Sequence, residues 1–437
     1  MSFAVGVLVL VAGLLVSIAL HEVGHLLPAK RFGVKVTQYF VGFGPTLWSR
    51  RRGETRYGLK AIPLGGYVRM VGMYPPARAG ATPRRTRGGR PTLVEEARQY
   101  SLAEVAPGEE HRTFYALSVP KKLVVMLGGP VMNLLIAVVL IAVVMVGFGV
   151  PAYTATLGNV QECLPADPAA TECRDTDPPA PGALAGLRPG DTVLSWGGRP
   201  VTGWDDVRAA IADAGTSPAT VVVERDGQER TLTVTAATVD RPVVVDGEVL
   251  TDADGEPVTE PRPFVGIGPT AALERRPLGA VPARVGEALG ATVDVVLTLP
   301  QRIVAVAQAA FGQEERDPGV VGLVGVGRFA GEIASIDSER YGVAERTADM
   351  LGLLASLNLA LFVFNLLPLL PLDGGHIAGA LWEGLRRRVA VWRNRPDPGP
   401  VDVARLLPVT YVVVVVMVGM SLLLAYADIV RPVTLTG

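Results

Sequence analysis

The sequence predicts a polytopic α-helical membrane protein of about four transmembrane helices, with a membrane-associated β-hairpin region and one small external α+β domain. Three observations lead there. Of 437 residues 49% are apolar and 19% charged, against about 25% charge in a soluble chain. The apolar residues are gathered into long runs separated by ordinary polar sequence. The Lys and Arg content of the intervening loops alternates as membrane insertion requires.

Four runs reach the roughly 20 apolar residues that a bilayer crossing needs: 3–20, 123–150, about 351–372, and 409–426. The first has neither the basic lead nor the small-residue cleavage site of a signal peptide, so it reads as a retained helix. Residues 28–120 carry 16 basic and 6 acidic side chains, and 386–405 carry 6 and 2. The stretch 151–349 reverses the balance, with 16 basic and 30 acidic. Both termini and the acidic region are therefore expected outside, and the two basic loops in the cytoplasm. A net charge of −1 gives no ground for a nucleic-acid partner. Arg outnumbers Lys by 36 to 5, which reads as coding bias.

The expected organisation is a first transmembrane helix with its motif over 1–27, a cytoplasmic-side β region over 28–74, and a flexible basic loop over 75–120. Aromatic and branched residues mixed with glycines around Tyr39–Gly44 and Tyr57–Val71 carry the β assignment. Pro, Arg and Gly dominate 75–107, which reads as a tether. The second helix follows over 121–150. Short strands, Gly turns and one helix near 204–214 then make a β-rich external domain over 151–270. Cys163 and Cys173 lie at its entry, close enough for a disulfide in an oxidising compartment, with two unpaired thiols as the alternative. Amphipathic membrane-surface helices are expected over 271–349. A third transmembrane segment spans 350–385, a basic loop 386–407, and a fourth helix 408–428.

His21-Glu22-Val23-Gly24-His25 carries the chemistry. On a helix, residues i and i+4 share a face, so both imidazoles can hold one cation while Glu22 stands beside them as a base. Zinc in such a site polarises a carbonyl and lowers the pKa of its water to about 7. Two core histidines in a helix bundle are the bland reading, but ionisable groups inside a span are costly and point to function. A catalytic zinc normally has three protein ligands. His111 and His376 are the remaining histidines, and Asp373, a carboxylate ending a long apolar stretch, is the more telling candidate. His21 lies roughly 27 Å along its helix from Phe3 at 1.5 Å per residue. Asp373 lies at comparable depth on the third segment, so the two can meet.

The sequence resembles the site-2 protease family of intramembrane metalloproteases, in the branch of the bacterial regulator-of-sigma-E protease. His21–His25 matches its HExxH motif. Asn365, Pro368, Asp373 and Gly374 match its Asn-x-x-Pro motif with Asp-Gly eight residues after the Asn, though the second proline, Pro371, comes three residues after the first rather than two. Gly129-Pro130-Val131-Met132-Asn133 is similar to its Gly-Pro-x-x-Asn element, 62–68 to its re-entrant β-structure, and 182–201 to its extracytoplasmic PDZ domain, here in one copy as in an actinobacterial-type member.

The resemblance implies a zinc endopeptidase of the bacterial cell membrane. Its substrates would be single-pass membrane proteins already clipped outside the bilayer, such as anti-sigma factors. His21, His25 and Asp373 would hold one Zn2+, and Glu22 would be the catalytic base. Asn365 would bind substrate backbone or the oxyanion, with helix packing as its other reading. Asn133 reads more simply as an interhelical hydrogen bond, and His376 as a neighbour of the ligands or a turn residue. An exposed strand edge at Gly65, Gly66, Tyr67 and Val68 would hold an unwound substrate by strand addition, or else only plug the site. The PDZ-like domain would bind trimmed ends or exclude bulky ectodomains. The competing readings are a membrane scaffold with a structural metal, against which Glu22 speaks, and a metal transporter, for which no repeated half is visible.

Overall fold

The computed structural model describes residues 2–77, 85, 90–164, 173–174, 177–245, 248–250, 258–312, 319–336 and 341–434. The chain forms two compact units, Met1–Phe148 with Pro277–Gly437, and Gly149–Arg276.

In the first unit, α1 (Phe3–Arg31) is one continuous helix, so HExxH sits in its interior. Strands β1 (Val36–Arg52) and β2 (Thr55–Met70) are long and bent. Segment 36–41 pairs with 66–70 on one side and with 56–59 on the other, while 46–52 pairs with 55–60. Gly42, at φ 89°, makes the bend; a Cβ there would lie 2.8 Å from the Ile62 carbonyl oxygen. Segment 66–70 thus has a strand neighbour on one side only among the described residues.

Part of the expected tether is a helix, α2 (Leu93–Ala103). Two acids in its first turn favour the N-terminus, and Glu95, Arg98 and Ser101 share a buried face. The Pro/Arg/Gly content averaged over 75–107 concealed this segment; residues 78–84 and 86–89 of the tether lie outside the described residues. Helix α3 (Val119–Ala142) continues through a π-helical turn, Val143–Phe148. It runs antiparallel to α1. Gly24 and Gly128 cross so closely that a Cβ on either would lie 2.2 or 1.9 Å from the other's carbonyl oxygen, the small-residue contact that membrane helices use.

The second unit is built on β3 (Val150–Val160), with α4 (Pro181–Leu184), β4 (Thr192–Trp196), β5 (Arg199–Pro200), α5 (Trp204–Ala214), β6 (Ala219–Arg225) and β7 (Gln228–Val234). A ribbon follows, from β8 (Ala237–Pro242), β9 (Val244–Val245), β10 (Glu248–Val249) and β11 (Thr259–Phe264), and β12 (Ile267–Glu274) closes the unit. The main sheet is ordered β12-β3-β4-β6-β7, with β5 on β4. Leu157, Val193, Trp196, Val207, Val221 and Val223 form its core. Cys163 and Cys173 are joined in a disulfide; residues 165–172 between them lie outside the described residues.

The chain returns to the first unit with α6 (Val281–Phe311), α7 (Leu323–Ser335), α8 (Val343–Leu366), α9 (Asp373–Trp392) and α10 (Leu407–Val430). The third segment, expected over 350–385, is two helices, because Pro368 and Pro371 cannot continue α8. Part of the loop expected over 386–407 is helical too: α9 runs on to Trp392 and ends before Asn394, which adopts φ 48°. Among the described residues five helical stretches, not four, are long and apolar enough to cross a membrane: Phe3–Arg31, Val119–Phe148, Leu278–Phe311, Val343–Leu366 and Val403–Val430. The added one contains α6, which falls in the stretch 271–349 expected as amphipathic membrane-surface helices. Helix α8 runs parallel to α1: Leu10 packs with Met350 and Leu354, and Ser17 accepts a 3.0 Å hydrogen bond from Asn358.

Candidate active site

Ser17, His21 and His25 recur every four residues, so one stripe of α1 carries them all. The two histidines of the stripe face α3, where Gly129 leaves room for the rings. A Cβ at Gly129 would lie 2.2 Å from His25 Nε2 and 2.7 Å from His21 Nε2. His25 Nδ1 donates to the Val125 carbonyl at 2.8 Å. That bond turns the Nε2 lone pair inward, as an orienting partner does for a metal-binding histidine.

Asp373 arrives from α9, as its first residue. The loop from α8 folds tightly against the two glycines that follow. A Cβ at Gly374 would lie 2.1 Å from the Leu367 carbonyl oxygen, and one at Gly375 would lie 2.8 Å from Leu370. Asp373 Oδ2 stands 3.4 Å from His21 Nε2 and 3.2 Å from His25 Nε2, and the two Nε2 atoms are 3.2 Å apart. The three atoms make a nearly equilateral triangle. A tetrahedral ion with bonds of about 2.0–2.1 Å has ligand–ligand edges of about 3.3–3.4 Å, so the triangle has the dimensions of one face of such a site. Asp373 Oδ2 and His21 Nδ1 are buried with no hydrogen-bond partner, a costly state that a bound cation relieves at the carboxylate.

Glu22 is buried beside this triangle at 8% exposure. Strand β2 passes close to it: a Cβ at Gly66 would lie 2.9 Å from Glu22 Cγ and 3.0 Å from Ile18. Strand segment 66–70 therefore passes next to Glu22. Tyr67 stacks on Phe40 and Phe43, and Val68 packs on the apolar cluster around Val36 and Met70. Asn365 lies half-buried in the last turn of α8 and makes no hydrogen bond to the three donors among the described residues. Asn133 is fully buried with its amide unpartnered. His111 is exposed in a short turn away from the triangle, and His376 lines a small cavity beside Lys122 and Glu383.

Sequence reasoning missed Gly129, Val125, and the Ser17–Asn358 pair. Ser17 had a signal, its position one turn ahead of His21 on the same face. Gly129 was seen only as part of a motif, since the space that it leaves exists only once α1 and α3 cross. Lys122 and Glu383, which pair at 2.8 Å and are both buried, are 261 residues apart and carried none.

A buried HExxH helix joined by a carboxylate from another helix, with a base at hand, defines a membrane-embedded metalloprotease. The chain belongs to peptidase family M50, the site-2 proteases, whose family model matches residues 9–395. It is similar over its whole length to Zinc metalloprotease Rip1 of Mycobacterium tuberculosis, 36% identical over 445 residues covering 100% of both chains. Rip1 of Mycolicibacterium smegmatis is 32% identical over 451 residues, again 100% of both. Metalloprotease MmpA of Caulobacter vibrioides is 27% identical over 396 residues, 88% of this chain and 89% of the relative. The protein is thus an intramembrane zinc metalloprotease acting on membrane-protein substrates.

Proposed function

We propose that the chain cleaves transmembrane segments of single-pass proteins already trimmed outside the bilayer, with His21, His25 and Asp373 as zinc ligands and Glu22 as base. The triangle of donor atoms with Glu22 and an open strand edge beside it is the observation that carries this reading. Zinc held there supplies a Lewis acid and a water acidified to a pKa of about 7. Glu22 would act as the base, taking a proton from the attacking water and passing it to the leaving amide nitrogen. The Val125 carbonyl keeps His25 in the required tautomer. Asn365 offers an amide to the developing oxyanion or to substrate backbone. A transmembrane helix hides its peptide bonds, so the substrate must unwind; the edge at Gly65–Val68 accepts it as an added strand.

Four crossings fit better than five. Helix α6 begins seven residues after Glu274, which pairs with Val150, two residues beyond the end of the α3 helical stretch at Phe148. It ends at Phe311, stacked at 5.4 Å on Tyr426 near the end of α10. Asp428 of α10 accepts from the Gly325 N–H of α7 at 2.7 Å, and α7 packs on Gly6 near the start of α1. Leu140 of α3 packs near Leu10 and Leu14. Both ends of α6 therefore belong to the side of the α1 N-terminus, and a helix that starts and ends on one side lies along the membrane. With the basic loops in the cytoplasm, both termini and the Gly149–Arg276 unit are extracytoplasmic, and the site sits toward the cytoplasmic half. The disulfide supports this sidedness. We read the external unit, a small antiparallel sheet with one main helix, as the PDZ-like domain that screens trimmed substrates.

The test is cleavage of a short model transmembrane substrate by purified protein in detergent, with zinc measured on each sample. Wild type should cut. Glu22→Gln should keep one zinc and lose at least about 100-fold in rate, the low end for general-base removal. Asp373→Ala should lose the metal. Equal cutting by all three would overturn the assignment. Binding of a partner by Glu22→Gln with no cutting by wild type would favour the scaffold reading.

A further inference from the structure

A second polar site lies on the other side of the Asp373 loop. A cavity of about 1360 Å³ opens between the start of α2, the middle of α9 and the start of α10. Among the described residues Arg98, Arg386, Arg387 and Arg405 line it together with Glu95 and Asp402; Arg387 also pairs with Glu383 and Asp397, and Arg405 with Asp402. Arg98 is buried and bonds both Glu95 and Asp402 at 2.6 Å, yet among the described residues its Nε finds no acceptor, and neither does the hydroxyl of Thr92 as a donor. Thr92 precedes the first turn of α2, whose leading N–H groups open on the same space. Arg386 reaches only the Pro398 carbonyl, at 3.3 Å, among the described residues. The Arg386 guanidinium, which meets no carboxylate among the described residues, the orphaned buried donors and a helix N-terminus together make an anion cradle.

We propose that this cavity binds the phosphate headgroup of an anionic phospholipid at the cytoplasmic face. The wall of the cavity is continuous with surface suited to acyl chains: Trp382 is 56% exposed, Leu406 46%, Val409 55% and Val412 63%. Aromatic residues concentrate at this level of a bilayer, and basic pockets between helices on its cytoplasmic side select acidic headgroups. The cytoplasmic flank of a peptide substrate is itself rich in Lys and Arg, so four arginines would repel it. A soluble phosphate would satisfy the arginines but leave the apolar rim bare. Because α9 also carries Asp373 and α2 also contacts strand β2 through Arg69 and Tyr100, a bound lipid braces both walls of the active site.

The placement at the cytoplasmic face rests on the four-span reading above, whereas binding in micelles does not depend on sidedness. Full-length protein is purified with phosphatidylglycerol or phosphatidylcholine, and retained lipid is read by native mass spectrometry. Wild type should retain one phosphatidylglycerol and no phosphatidylcholine. Arg386→Gln with Arg405→Gln should bind about tenfold or more weakly, as expected for two basic contacts to an anionic surface. The Arg386→Lys, Arg405→Lys pair should restore binding, and Arg388→Gln, outside the cavity, should match wild type. Equal retention by the Gln pair, or retention of both lipids alike, overturns the proposal. So does displacement of the lipid by inorganic phosphate, which would make the ligand a soluble anion. A thiol probe at Asn394→Cys that reacts only from outside overturns the sidedness alone.

Discussion

In the Gly149–Arg276 unit the buried centre is Leu157, Val193, Trp196, Val221 and Val223, and charges lie outside except for Asp191. In the helical unit the buried set includes Ser17, Glu22, His25, Lys122, Asn133, Asn358 and Glu383, while Leu8 and Val412 point outward at 67% and 63% exposure. The Gly149–Arg276 unit must make its own apolar interior from water. The helical unit is given one by the bilayer, so apolar burial cannot bring its helices together. Glycine contacts and polar pairs do that instead, and the active site is one of those polar sets.

This contrast predicts separate failures. The largest loss of stability should come from Trp196→Ala, about 3–5 kcal/mol for an aromatic deleted from a packed core. Hydrogen exchange should rise in β4 and β6 of the full-length protein, with zinc content unchanged; a parallel loss of zinc would show that the two units are not independent. Lys122→Met should cost about 3 kcal/mol, because Glu383 stays buried without its ammonium partner, though Arg387 and the Val401 N–H remain bonded to it. Adding Glu383→Leu should recover most of that loss in thermal melts. A double variant as unstable as the single would show that packing, not charge, is what Lys122 supplies.

Gly129→Ala should lower zinc affinity about 100-fold, the upper range for disturbing groups next to metal ligands, because the methyl would meet both imidazoles. Gly147→Ala, on the same helical stretch with open space around it, should retain zinc as wild type does under chelator competition. Equal retention by Gly129→Ala would mean that α1 and α3 stand further apart than their glycine crossing implies.

The same contrast explains what the sequence could reveal. A charged residue inside an apolar run is conspicuous, so His21, Glu22, His25 and Asp373 could be assembled before any fold was known. The β region was legible from its aromatic and glycine pattern, although its folding back into several short pairings was not, because register depends on bends at Gly42 and near Gly65. Helix α2 was hidden by composition, and one of the two carboxylates that hold its buried Arg98, Asp402, lies 304 residues away. Helix α6 shows the opposite difficulty: length and hydropathy qualify it as a span, and only the position of its two ends argues otherwise.

The smallest expected effect lies in the external unit, at its one buried acid. Asp191 accepts from Arg225 Nε at 2.6 Å and Nη2 at 2.7 Å, and from the Arg188 N–H at 2.8 Å. Burial alone would push its carboxyl up; the hydrogen bonds from Arg225 and Arg188 and the Arg225 charge outweigh that and hold it below the usual carboxylate range. A depressed folded pKa means stability that is fully present above the unfolded value of about 3.9 and lost as pH falls through the folded one. Pepsin, which works in acid, reads this directly. Wild type should resist cutting within 192–234 until the pH is below about 3.9, whereas Asp191→Asn should be cut more readily at pH 5 and lose little more below it. Rates would be normalised to an unfolded reference peptide. Matching pH profiles would remove the Asp191–Arg225 pair as the acid-sensitive point and leave the exposed carboxylates of the ribbon as the next candidates.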